Sequence, residues 1–174
     1  MNKKGFTLIE LIATITILSI IMMVAIPNVI SITKKNKNQT YINDARKMVT
    51  LAKYRFESDA SIPRPTNINP IIILLNALDK SELQKGPENG TYDTERSFVK
   101  IIYDNTKNTY VYSVQIAEKL NDTETDTNQY RGIVLTEYSN ITNINAKNSY
   151  ITSGKDTKFP KGTTLQSDTS RLIR

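Results

Sequence analysis

Lys3-Lys4-Gly5-Phe6-Thr7-Leu8-Ile9-Glu10 opens an apolar run that continues to Ile26 and meets Pro27. From Phe6 to Ile26 there are 21 residues, of which 16 are apolar, and Glu10 alone is charged. A helix of that length spans roughly 31 Å, about one hydrocarbon core. A cleaved secretory signal fits the two lysines but not the run, because such apolar cores are about 7–15 residues long. Ala25-Ile26-Pro27 is also no small-residue cleavage site. A plain membrane anchor fits the length but leaves Glu10 unexplained. A carboxylate at mid-span costs about 2.5–3.5 kcal/mol, and the run offers it no basic partner.

The whole chain has 174 residues and a formal net charge of +6, with no cysteine and no histidine. The two zeros exclude a disulfide framework, thiolate or imidazole chemistry, and Cys- or His-ligated metal within these residues. No Gly-x-Gly-x-x-Gly and no P-loop occurs. No cofactor, no catalytic set and no metal site is expected, and the chain reads as a non-enzyme.

Lys3-Lys4-Gly5-Phe6-Thr7-Leu8-Ile9-Glu10, with the apolar run and Pro27 behind it, resembles the processing site of the type IV pilin family, which includes the pseudopilins. The likeness covers about residues 1–58. It implies a leader, 1–5, carrying the basic Lys3 and Lys4. It implies cleavage between Gly5 and Phe6 by a prepilin peptidase, and methylation of the new Phe6 amine. Glycine suits the cut, because a peptidase needs an extended, unencumbered backbone. Glu10 then meets the amine of a neighbouring subunit during assembly. Such a pair makes both charges tolerable in a low-dielectric core. Pro27 stands where family members often have a helix-kinking proline; the alternative is a simple helix stop, and either way it marks the membrane exit.

The resemblance further implies a structural subunit of a pilus, built into a helical filament with other pilin subunits. A membrane assembly platform and a cytoplasmic ATPase would drive that step. The alternative is a pseudopilin of a DNA-uptake (competence) or type II-like secretion system. The subunit would wait in the cytoplasmic membrane, among lipid, as a single span with its N-terminus inside, before reaching a surface pilus or pseudopilus. Lys3 and Lys4 favour that orientation, but Lys34, Lys35 and Lys37 beyond the span nearly cancel the bias. Many family members close a C-terminal disulfide loop, which a chain without cysteine lacks.

Beyond Pro27, Ile42, Ala45, Val49, Ala52 and Phe56 recur at three- and four-residue spacing, one apolar helical face. Tyr41, Met48, Arg46, Lys47 and Lys53 flank it or face away. Apart from Pro27, no glycine or proline interrupts Phe6–Ile62. The expectation is one helix from Phe6 to about Ser58. Residues 6–33 form its membrane and filament-core half, and 34–174 form a globular domain that includes the amphipathic half. Lys34–Lys37 reads as a solvated or headgroup-facing patch. Nucleic acid is unsupported, since base-reading or aromatic groups do not interleave these lysines.

Asn69-Pro70 before Ile71–Leu78 reads as a capped, short, buried helix, with a buried strand as its rival because Ile71–Ile73 are β-branched. Residues 85–90 form a loop. Strands are expected over Ser97–Tyr103, Thr109–Ala117 and Gly132–Tyr138, with a hairpin loop at 104–108. An irregular region follows from Asn140, with a short strand near Ser149–Thr152 and a frayed tail at 171–174. Asp122, Glu124 and Asp126 share the spacing of a calcium loop but lack its glycine and terminal glutamate, so a plain acidic loop is the better reading. Together these elements make an α+β fold, a long N-terminal helix packed on a small antiparallel sheet, as the pilin resemblance also implies.

Overall fold

The computed structural model describes residues 7–79, 81, 83, 85–120, 129–141, 151–155, 158–165 and 169–174. The chain divides into two compact units, Met1–Lys37 and Asn38–Arg174. The leader residues Lys3, Lys4, Gly5 and Phe6 lie outside the described residues, as do Asp122–Asp126 and residues 142–150 of the region expected to be irregular.

Helix α1 runs Leu8–Ser58. It passes through Pro27, so that residue is not a helix stop. A ring nitrogen at that position leaves one carbonyl a turn earlier without its helical donor. In the first unit the apolar side chains from Leu8 to Ile32 are exposed. In the second unit the sequence-derived face is buried: Ile42, Ala45, Val49, Ala52 and Phe56. Tyr41 and Met48, read as flanking or outward, are fully buried with it. Asp44 is buried as well. The buried stripe is therefore wider than the three-four spacing of aliphatic residues alone implied.

Among the described residues seven strands follow: β1 (Ile71–Leu74), β2 (Thr91–Tyr92), β3 (Phe98–Asp104), β4 (Thr109–Lys119), β5 (Gln129–Glu137), β6 (Ile151–Lys155) and β7 (Leu172–Ile173). One helical turn, α2 (Tyr138–Ile141), follows β5. The strand order is β6-β5-β4-β3-β1-β7, with β2 pairing the far end of β4. All pairings are antiparallel except β1 with β7, which is parallel. The fold is α+β and pilin-like, and that parallel pair makes the sheet mixed rather than purely antiparallel.

Three local expectations change. Ile71–Leu74 is a strand, followed by a 3-10 turn at Leu75–Ala77, not a helix. It lies between β3 and β7 and is buried throughout. A strand covered on both faces needs no polar alternation, and a β-branched run suits it. The chain end is not frayed either, because Leu172 and Ile173 pair with Ile72 and Ile73. Tyr138 ends the expected third strand by starting α2. The strand expected near Ser149–Thr152 appears as β6, slightly later. The loops at 104–108 and 85–90 stand as expected.

The sheet has two covered faces. Ile71, Ile73, Val99, Ile101, Val114, Ile116 and Ile133 form one core with the buried stripe of α1. On the opposite face Ile72, Leu74, Phe98 and Leu172 cluster. Ala117, Tyr130 and Phe159 form a third group. The buried Gln115 amide donates to the carbonyls of Arg96 and Pro160, at 2.7 and 2.8 Å, holding the late segment against the sheet. Each large aliphatic side chain buried this way contributes about 1.5–3 kcal/mol.

Candidate processing and assembly segment

The first turn of α1 is capped by its own side chains. Thr7 lies just before Leu8, and Glu10 follows three residues after Thr7. The Thr7 backbone N–H donates to Glu10 Oε2 at 2.8 Å, and the Thr7 hydroxyl donates to the same oxygen at 2.7 Å. The Glu10 N–H reaches back to Thr7 Oγ1 at 3.4 Å. This is a capping box, in which one Thr-x-x-Glu quartet satisfies donors that the helix cannot. Glu10 therefore has a local task in the single chain. The residues quoted as a cleavage motif are also a helix-start signal.

The exposed half of α1 is built for hydrocarbon. Four of its hydroxyl side chains bond to the helix itself. The hydroxyls of Thr14, Thr16, Ser19 and Thr33 each donate at 2.8 Å to the carbonyls of Leu11, Ile12, Ile15 and Val29. Back-bonding of this kind gives these four hydroxyl protons an acceptor where water is absent. By length and composition α1 is able to cross a membrane.

Compared with protein-family models, residues 1–26 match the prokaryotic N-terminal methylation motif. The chain carries a prepilin-type N-terminus. That motif is the prepilin-type cleavage signature of type IV pilins and pseudopilins, and over those residues the chain is similar to them. Comparison with curated proteins and with solved structures finds no match. The prepilin-type motif and the apolar helix together fit a membrane-anchored pilin. The motif implies processing by a prepilin peptidase and assembly with other pilin subunits.

Within the second unit is a polar cluster that the sequence did not announce. Glu118, on β4, is fully buried. Its carboxylate accepts from the Tyr41 hydroxyl of α1. It also accepts from the backbone N–H groups of Glu88, at 3.0 Å, and Gly90, at 2.6 Å. Among the described residues no lysine or arginine pairs with it directly; Arg131 instead pairs with Glu88 beside it. The loop around Glu118 needs glycine, because a Cβ on Gly90 would sit 2.1 Å from the Lys119 carbonyl oxygen. One strand away, the Tyr92 hydroxyl donates to Asp44 at 2.6 Å.

Burial pushes the Asp44 carboxyl above its ordinary range, opposed by the Tyr92 hydrogen bond and by Lys47. Burial first, then their carboxylate partners, raise the Tyr41 and Tyr92 hydroxyls well above the usual tyrosine range. The cluster joins the second half of α1 to β2, β4 and the 85–90 loop. Its one legible signal was Tyr41 and Asp44 lying within a turn of the apolar stripe.

Proposed function

We propose that this protein is a structural subunit of a type IV pilus. The leader 1–5 is cut from it between Gly5 and Phe6, and Phe6 becomes the methylated mature terminus. The observation that carries the reading is the match of residues 1–26 to the methylation motif, on a helix whose apolar half is exposed from Leu8 to Ile32. A single subunit leaves that surface unsatisfied in water. Lipid covers it before assembly, and neighbouring α1 helices cover it in a filament.

Glu10 is the assembly residue of this reading. Its Oε2 serves the cap, and the carboxylate still has lone pairs for an ammonium. The processed amine of a neighbouring Phe6 supplies that partner. The pairing neutralises two charges in the filament core. The subunit enters the membrane once, N-terminus inside, and residues 34–174 form the domain outside. Pro27 introduces a local kink where the span ends.

The test is incorporation. Glu10→Ala should be cleaved normally but should enter surface filaments at least about tenfold less than wild type, as scored by immunogold electron microscopy. Equal incorporation contradicts the assembly role. Filaments that stay within the envelope, with the protein present, would point to the pseudopilin use of the same chemistry.

A further inference from the structure

Exposed hydrocarbon and exposed lysine lie side by side on the first unit. Ile32 is exposed, and Lys34 and Lys35 follow it, both exposed. Two helical positions amount to about 3 Å of rise. Lys37, half-exposed, lies one turn beyond Lys34. At about 100° per residue the three stems fan over roughly 160° of the helix circumference. From Leu11 to Asn43 the sequence has no Asp or Glu.

The spacing selects the partner. Leu8–Ile32 is 25 residues, or roughly 37 Å of helix. With Leu8 at one edge of a hydrocarbon core about 30 Å thick, Lys34 stands roughly 39 Å along the axis. A tilt of about 20° still leaves it several ångströms beyond the far edge, at headgroup depth. A nucleic acid or an acidic protein offers anions without an adjoining apolar layer. A bilayer with anionic headgroups offers both.

We propose that Lys34, Lys35 and Lys37 form a collar that binds anionic phospholipid headgroups in the leaflet from which α1 emerges. The lysine stems lie along the apolar layer and the ammonium groups reach phosphate. This rests on the membrane-anchored reading given above. Each lysine near an anionic surface is worth about fivefold in binding. Leaving the bilayer for a filament breaks these contacts.

The full chain is reconstituted in phosphatidylcholine nanodiscs containing about a third phosphatidylglycerol. Spin-labelled phosphatidylglycerol and phosphatidylcholine then report which lipid is immobilised against the protein. Wild type should prefer phosphatidylglycerol several-fold, and 0.5 M salt should reduce the preference, as screening requires (about 10 Å at 0.1 M and less above it). The triple variant Lys34→Gln, Lys35→Gln, Lys37→Gln should lose most of it. The double variant Lys3→Gln, Lys4→Gln should keep the larger share. No preference in wild type, or a preference unchanged in the triple variant, overturns the collar. Insertion without lipid preference sinks the collar alone. A chain that stays soluble and does not insert sinks the membrane anchor as well.

Discussion

The Tyr41 hydroxyl donates to the Glu118 carboxylate, across 77 positions of sequence and with both side chains fully buried. It ties the second half of α1 to β4 by a polar contact inside an apolar core. Removing the hydroxyl takes one donor from a buried carboxylate, which costs more than the bond itself was worth. Tyr41→Phe should therefore destabilise the domain by about 1–3 kcal/mol. Urea unfolding of residues 34–174 reads this directly. A change below about 0.3 kcal/mol would show that the Glu88 and Gly90 amides suffice for Glu118.

Asp44 sets a pH dependence of known sign. Burial holds the folded carboxyl above its ordinary value, so the folded state keeps its proton to higher pH than the unfolded chain. The stability tied to that proton is fully present below about pH 4, the unfolded value. It is lost as pH rises through the folded value. Asp44→Asn keeps an acceptor for Tyr92 and does not titrate. The variant should thus gain stability over wild type as pH rises from 4 to 7. A difference that stays constant over that range contradicts the assignment.

Arg171 anchors the chain end. Its guanidinium donates to the carbonyls of Pro70, Arg64 and Asn69 at 3.1, 3.0 and 2.9 Å. That places Leu172 and Ile173 beside Ile72 and Ile73. Hydrogen bonds made by a charged group are worth about 1.5–3 kcal/mol. Arg171→Ala should release β7, with faster amide exchange at Leu172 and Ile173 and little change in β3 or β4. Unchanged exchange at β7 would show that strand pairing alone holds it.

The long helix was legible because its signal is local and repeated. Ile42, Ala45, Val49, Ala52 and Phe56 mark one face, and the helix ends at Ser58, just before the turn-rich stretch from Ser61 to Asn67. The β3–β4 hairpin was legible for the same reason, through alternation about a short polar loop. What escaped depended on contacts far apart in sequence. Ile71–Leu74 becomes a strand because β3 and β7 flank it; its β-branched run allowed that reading without deciding it. Arg171-Leu172-Ile173-Arg174 looks like a loose tail until Pro70 and Ile72 are set beside it. Glu118 and Tyr41 are ordinary residues in sequence, and their pairing exists only once α1 lies on the sheet. At the N-terminus the motif lies in the sequence itself, because the proposed cleavage at Gly5 and Phe6 would be read by another protein.

Chemical identity of the mature N-terminus tests the central claim most directly. Mass spectrometry of the protein from its own cell membranes should give a chain starting at N-methyl-Phe6, with residues 1–5 absent, and Gly5→Val should leave the full-length precursor. An intact Met1 terminus in the wild-type protein, or a start anywhere other than Phe6, would contradict it.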